Sequence, residues 1–375
     1  MMMRFILTIV LLGGLLPVWS LGEESPELTG EPYVYTEWET FYAEENGLPN
    51  DHIFSLKADG DRLWVGTEDG LALLEDGKWK VWQEKDGLPF KVVSSIAVSE
   101  KTGDVWLGLF GGGVARFSGG RFDHFHQLNS GLVNDVVYSL TILDDELWVA
   151  TTAGVSSYNT VTGEWEIFTD QNAPMEEIWC YSIDAHGKRV YVAVWGGGIL
   201  EWDVDTKLWD AHHDPDHEME IDLYRDDGLI HIITTSVSFR DDIMWASTYF
   251  GLSRYDGRHW RGYTKIDSGL ISDFINFGVG RDKNTCYCST DMGLAVLADF
   301  ESDTWVTYKR DQEDAEHWTA HLMVQDKIIR SVPTKLSLPN HFIICSEFQG
   351  DDVWIGTGHG LARGIGKGYY AGLKK

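Results

Sequence analysis

The sequence is poor in positive charge. It contains 30 Lys and Arg residues against 59 Asp and Glu residues, which gives a formal net charge of −29 at pH 7. Such a chain is repelled by nucleic acid and by an anionic membrane surface, so both are excluded as main partners. A basic exported or envelope protein is compatible with this charge, although a solvated acidic surface explains it equally well.

Long apolar runs are also missing after the first twenty residues, where none approaches the roughly 18 residues of a membrane helix. At the start, Arg4 precedes the apolar stretch F-I-L-T-I-V-L-L-G-G-L-L-P-V, and Val18 and Ser20 suit a cleavage site. Residues 1–20 are therefore predicted to be a signal peptide, followed by a leading segment at 21–35. The mature protein is expected in the periplasm or outside the cell, without a membrane span.

Cysteine is scarce, with four residues in the chain: Cys180, Cys286, Cys288 and Cys345. Cys286 and Cys288 stand two apart on a predicted strand, which separates their Cα atoms by about 6.6 Å. That distance is near the upper limit of disulfide geometry. Buried thiols are therefore predicted in preference to a disulfide.

What the sequence has in abundance is one repeated phrase. It reads R-L-W-V-G-T-E-D-G-L at 62–71 and V-W-I-G-T-G-H-G-L at 353–361. Related copies each contain a start signal, an aromatic-anchored strand, a glycine turn, a third short strand and a fourth strand with two aromatic residues. Seven start signals occur, at residues 47, 87, 131, 174, 228, 269 and 337. Four short strands in about 40 residues are typical of a β-propeller blade.

The count of strands predicts how the ring closes. Seven start signals are followed by only six fourth strands, and the missing copy stands at the front, around Trp38 and Phe41. An open sheet edge would otherwise remain in the last blade. The predicted fold is an all-β, seven-bladed β-propeller of four-stranded blades over residues 36–366. The N-terminal strand joins the last blade, insertions lie near 211–224 and 311–336, and residues 367–375 form a tail.

The paired phrases G-L-P-N-D-H-I-F-S-L and R-L-W-V-G-T-E-D-G-L resemble the two-component regulator propeller repeat, and the resemblance covers residues 36–366. In that family the repeats often form periplasmic sensor domains of hybrid histidine kinases, some of which respond to carbohydrates. This sequence shows no kinase motif and no following membrane helix, so it is more similar to the free-standing, exported members.

Two repeats have longer, glycine-rich turns, G-L-F-G-G-G-V and A-V-W-G-G-G-I. They place Phe110 and Trp195 on turns that are expected to lie near Tyr249 on one rim of the ring. Exposed rings there would stack on a sugar or on an apolar side chain of a partner. The alternative is that they pack against neighbouring blades.

The loops between repeats supply polar candidates. Most positions there hold Asn or Asp, which serve as ordinary turn residues. Lys91, Glu177, His231 and His341 are harder to explain as turn residues. Together they predict a central pocket with both charge signs, suited to a small polar ligand.

The first insertion contains His212, His213 and His217 among acidic residues, which are ligand types for zinc, copper or nickel. Their spacing matches no defined site, so no resident cofactor is predicted. A divalent metal and a solvated acidic loop both remain open. The second insertion carries His317 and His321, which would share one face of a helix. It is expected to cap one face of the disc or to form a partner surface.

Three functions are compatible with these observations. Since G-x-S-x-G, P-loop and H-E-x-x-H motifs are absent, a non-catalytic scaffold that binds a protein or a ligand is favoured. The first alternative is a propeller lyase or glycan-processing enzyme, with Glu177, His231 and His341 over the channel. The second is a periplasmic ligand sensor that works with a separate kinase.

Overall fold

The computed structural model describes residues 35–214, 228–310, 318–334 and 338–366. Seven antiparallel sheets form a ring, which confirms the predicted seven-bladed β-propeller. The predicted signal peptide, the tail, His217 and His317 lie outside the described residues. Within the described ranges, no helix has the length and apolar character to cross a membrane.

Each blade contributes one inner strand to the wall of a central channel. The inner strands of blades one to seven are Ile53–Asp59, Val93–Val98, Val137–Leu143, Cys180–His186, Thr234–Arg240, Ile275–Gly280 and Ile343–Gln349. The second strands are Arg62–Thr67, Val105–Leu109, Glu146–Thr151, Arg189–Val194, Ile243–Thr248, Cys286–Thr290 and Asp352–Thr357.

The third strands all begin at a glycine that follows the second-strand turn. They are Gly70–Glu75, Gly113–Ser118, Gly154–Asn159, Gly198–Asp203, Gly251–Tyr255, Gly293–Asp299 and Gly360–Gly364. The outer strands of blades one to six are Lys78–Trp82, Arg121–Phe125, Trp165–Phe168, Leu208–His212, Trp260–Tyr263 and Thr304–Arg310. A short helix at Ala43–Asn46 and a 3-10 turn at Glu84–Asp86 each follow an outer strand.

The hydrophobic core lies between blades. In one cluster, Trp64 and Leu73 of blade one pack with Val93 and Leu107 of blade two, and similar clusters recur around the ring. Burying one large apolar side chain stabilises the fold by about 1.5–3 kcal/mol. Because each cluster is shared, a blade depends on its neighbours for stability.

All four cysteines are buried free thiols, as predicted. Burial raises the pKa of Cys180 to about 12. A thiol held in this way stays protonated and unreactive near neutral pH.

The ring closes through the N-terminal strand Trp38–Phe41, as predicted. This strand pairs antiparallel with Gly360–Gly364, so that Trp38 lies opposite Gly364 and Phe41 opposite Leu361. Trp38 also meets Tyr308 of blade six edge to face, with ring centroids 5.4 Å apart. The closing strand therefore joins blade seven and braces blade six.

The second insertion adds two strands to blade six, which has six strands in all. Trp318–Val324 pairs with the outer strand, and Lys327–Pro333 pairs with Trp318–Val324. Trp318, Ala320 and Leu322 alternate into the core, which is strand periodicity and not helical periodicity. Residues 318–334 therefore extend the sheet beyond its outer strand instead of capping a face of the disc.

Candidate ligand site in the central channel

The channel holds a cavity of about 580 Å³ that is lined by all seven inner strands. This volume falls within the roughly 300–1,000 Å³ of small-molecule sites. Every inner strand has a register shift between its first and third residues. Such a bulge re-aims a side chain, and the second residue of each strand lines the cavity. These residues are Phe54, Ser94, Tyr138, Tyr181, Thr235, Asn276 and Ile344.

A continuous series of aromatic rings begins in this cavity and runs outward over the turns of neighbouring blades. Consecutive centroids are 5.3, 4.4, 5.0, 5.5 and 4.6 Å apart. The members of this aromatic arc, in order, are Phe110, Tyr138, Tyr181, Trp195, Tyr249 and Phe274. They belong to blades two to six, so the arc extends around much of the ring.

The three aromatic residues proposed from the sequence all lie in the arc. Trp195 and Tyr249 touch directly, whereas Phe110 is connected to them through Tyr138 and Tyr181. Phe110 is 41% exposed and Tyr249 is 40% exposed, while Trp195 is half-buried. These rings pack against neighbouring blades and remain partly exposed.

Sequence reasoning missed Tyr138, Tyr181 and Phe274. For the two tyrosines the signal lay in the inner strands, where the second residue is aromatic in I-F-S-L, V-Y-S-L and C-Y-S-I and not in the other four repeats. Attention to turns alone passes over that position.

His231 has a structural contact in the loop before the inner strand of blade five. Its side chain is fully buried, and Nδ1 accepts a hydrogen bond from the N–H of Ile233 at 3.0 Å. Asn50 and Asn134 use Oδ1 in the same way, each toward the residue two positions later. His231 thus takes the position of a turn asparagine. Because Nδ1 accepts, the proton of the neutral ring lies on Nε2.

The other polar candidates are exposed and spread over three blades. Glu177 lies beside the glycine-rich turn of blade four, since a Cβ atom added at Gly196 would be 3.6 Å from its Cγ. Lys91 and His341 are exposed in their loops. Within the described part of the chain, the cavity lining includes Phe342 but neither of these two residues.

His212 lies on the outer strand of blade four, away from the channel. Its Nε2 is 2.8 Å from Oε2 of Glu201, and its ring lies against Trp260 of blade five. Across the described ranges, no group of three or more His, Cys, Asp or Glu side chains is arranged to hold a metal. His213 belongs to those ranges, and His217 does not.

A second group of polar residues occupies the channel deeper than the bulges. The fifth residue of each inner strand lines the cavity: Lys57, Ala97, Thr141, Asp184, Ser238, Val279 and Glu347. Arg240 lines it as well. We call Lys57, Asp184, Arg240 and Glu347 the charged layer. Sequence reasoning missed it, because each member alone is an ordinary strand residue.

The carboxyl groups of the charged layer have perturbed acidity. Burial raises the pKa of Asp184 and of Glu347. Lys57 and Arg240 each lower the pKa of both carboxyls in part. Since each cation acts on each acid, the four groups share one electrostatic environment.

The fold defines this protein as a seven-bladed β-propeller. The family model with the description "two component regulator propeller" matches residues 47–69, as the resemblance in the sequence predicted. This match covers the first start signal and residues 62–69 of the repeated phrase.

Among curated proteins, the chain is similar to Histidine kinase P4 of Formosa agariphila. The two are 26% identical over 196 residues, which cover 41% of this chain and 14% of the kinase. The chain thus spans a small part of that relative.

Among solved structures, two extracellular domains from B. thetaiotaomicron, assigned to the hybrid two component systems BT3049 and BT4673, share the fold. Their TM-scores are 0.64 and 0.66, each at 14% identity and 88% coverage of this chain. This chain spans 42% and 40% of those chains. YCF48 from Cyanidioschyzon merolae also shares the fold, with a TM-score of 0.58, 12% identity, and coverage of 88% of this chain and 99% of that one.

Proposed function

We propose that this protein is an exported, non-catalytic β-propeller that binds a ligand or a partner side chain at the aromatic arc. The observation that carries the proposal is the arc itself. Six rings from five blades touch in sequence and lead into a cavity of about 580 Å³. Ordinary packing needs contact between adjacent blades, but it does not need exposed faces at the mouth of a cavity.

The chemistry of the arc suits a flat, partly apolar ligand such as a sugar ring. Aromatic faces supply apolar area, and the hydroxyl groups of Tyr138 and Tyr181 give the same rings a polar edge. At the level of these tyrosines, Ser94, Thr235 and Asn276 add polar side chains to the channel wall. A mostly apolar pocket with a few placed polar groups is typical of small-molecule sites.

The comparisons support a role in sensing or binding over one in catalysis. The relatives include a histidine kinase and extracellular domains of hybrid two component systems. A periplasmic sensor that works with a separate kinase is therefore our second candidate. The residues named for an enzyme differ in setting, since His231 is buried in a turn and Glu177 and His341 are exposed on blades four and seven. No observation favours the enzyme.

An oligosaccharide array followed by calorimetric titration tests this proposal. We expect a hit whose affinity falls at least tenfold in Trp195→Ala. Leu208→Ala is the matched control, because Leu208 is 67% exposed on the outer strand of the same blade. Binding that is equal in Trp195→Ala and the parent protein would place the ligand elsewhere. An array without any hit would reject the sugar as the ligand of the arc.

A further inference from the structure

The charged layer places two acidic and two basic residues around the channel, with one of each on either side. Glu347 and Lys57 belong to blades seven and one, which are neighbours in the ring. Asp184 and Arg240 belong to blades four and five, which are neighbours on the other side. Each side therefore presents one carboxylate and one cation to the same cavity.

These four side chains do not neutralise one another by direct contact. Among the described residues, none of them has an oppositely charged group within 4.0 Å, whereas Arg116 and Asp123 on the rim pair at 2.5 Å. Asp184 accepts the N–H groups of Ala185 and Phe239 at 2.8 and 2.9 Å. Lys57, Asp184 and Glu347 are half-buried, whereas Arg240 is exposed. Half-buried charges without ion pairs are costly unless water or a ligand completes their coordination.

The layer lies toward the far ends of the inner strands, apart from the aromatic arc. Bulge residues are second in each inner strand and the charged layer begins at the fifth residue, so the two levels differ by about 10 Å along the strand. Its formal charge is zero when all four groups are ionised. A ligand with a single charge would leave one group of the layer uncompensated, whereas a zwitterion would not.

We propose that the charged layer is a binding site for a small zwitterion, such as a free amino acid or a dipeptide. Asp184 and Glu347 supply the acceptors for the ammonium group, and Lys57 and Arg240 supply the cations for the carboxylate, with one acceptor and one cation on each side of the channel. An arginine fork matches a carboxylate in a bidentate manner, and this adds directional specificity. A cavity of about 580 Å³ has room for a ligand of this size. The site goes beyond the proposed function, because it concerns a different level of the channel and a different ligand class.

The test is calorimetric titration of the purified protein with glycylglycine and with a panel of free amino acids. For the best binder, matched analogues remove one charge at a time: the N-acetyl form lacks the ammonium and the amide form lacks the carboxylate. We expect each analogue to bind at least tenfold more weakly than the zwitterion. Equal binding by either analogue, or no binding by any zwitterion, would overturn the proposal.

Variants locate the site. Lys57→Met and Glu347→Gln are each expected to weaken zwitterion binding at least tenfold, while Thr141→Val, at the same level of the channel, leaves it unchanged. Trp195→Ala is expected to leave it unchanged too, so failure of the arc and failure of the charged layer are distinguishable. Circular dichroism checks that each variant is folded. If a variant is not folded, the comparison of the zwitterion with its analogues on the parent protein tests the proposal instead.

Discussion

Tyr138 and Tyr181 stack across the boundary between blades three and four, with ring centroids 4.4 Å apart and ring planes 26° apart. Each ring has a second aromatic neighbour on its far side, Phe110 for Tyr138 and Trp195 for Tyr181. Burial, with Tyr138 adding to it, raises the pKa of Tyr181. The pair thus joins the two glycine-rich turns, and Tyr181 remains neutral at physiological pH.

The first prediction concerns this stacked pair. A double-mutant cycle of Tyr138→Ala and Tyr181→Ala, measured by urea unfolding, is expected to give a coupling free energy of about 0.5–1.5 kcal/mol. A cycle of Tyr138 with Tyr191 is the control, since Tyr191 packs on Phe239 instead. Equal coupling in the two cycles would show that the stack contributes nothing specific.

The second prediction concerns ring closure. Trp38 is 1% exposed and packs on Tyr308, so Trp38→Ala is expected to lower the free energy of unfolding by about 3–5 kcal/mol. Tyr308→Phe removes the hydroxyl that accepts the N–H of Tyr35 at 2.5 Å, and about 1 kcal/mol is expected to be lost. Leu128→Ala, at a side chain that is 93% exposed, is the control and should change little. A loss in Trp38→Ala no larger than in the control would contradict this account of closure.

The third prediction separates backbone conformation from space at two glycines of blade two. Gly113 and Gly120 have similar φ angles, +75° and +82°. A Cβ atom at Gly113 would lie 2.3 Å from the carbonyl oxygen of Phe125, whereas one at Gly120 meets nothing within 4 Å. Gly120→Ala is therefore expected to lower the free energy of unfolding by about 1 kcal/mol, because alanine disfavours the left-handed conformation.

Gly113→Ala is expected to cost clearly more than Gly120→Ala, because the third strand must move away from the outer strand. Chemical unfolding of the two variants measures the difference. Equal losses of stability in the two variants would mean that the carbonyl of Phe125 moves away from the new Cβ atom at no cost in free energy.

The fourth prediction concerns pH. Burial raises the pKa of Glu347 in the folded protein, so between its ordinary pKa and that raised value the folded state binds more protons than the unfolded state. The contribution of Glu347 to stability therefore falls as pH rises through this window. Glu347→Gln removes this dependence, so its stability relative to the parent should increase with pH from about 4.5 and then level off.

Urea unfolding of both proteins over a pH series measures the effect. Glu75→Gln is the contrasting control, because Lys80 lowers the pKa of Glu75 and the parent's advantage over this variant should shrink as pH falls. A difference in the free energy of unfolding between Glu347→Gln and the parent that is the same at every pH would contradict the prediction.

The sequence was sufficient for the ring because its determinants are local and repeated. Each Trp or Tyr anchor and each turn glycine recurs at the same step of the blade, and Trp38 completes the count. The glycine-rich turns likewise identified Phe110 and Trp195. Local patterns indicate which residues form a strand and where the chain turns. Strands and turns are sufficient to predict the blades.

The charged layer could not be found in this way. Lys57 and Glu347 stand near opposite ends of the sequence, and only closure of the ring makes their strands neighbours. The insertion after the outer strand of blade six was also beyond local reasoning, because its histidine spacing suggested a helix, whereas its alternating buried residues form strands. His231 shows the reverse difficulty: its side chain suggested chemistry, and the structure gives it a turn contact.

The closing strand also has a consequence for the order in which the protein is made. Phe41 pairs with Leu361, 320 residues further along the chain. At roughly 5–20 residues per second, a ribosome needs about 15–65 s to cover that distance. During this interval Trp38–Phe41 is a strand without its partner, and an incomplete circle of blades leaves a sheet face uncovered on each side of the gap. Completion of the fold therefore waits for the last blade, whatever the speed at which the earlier blades form.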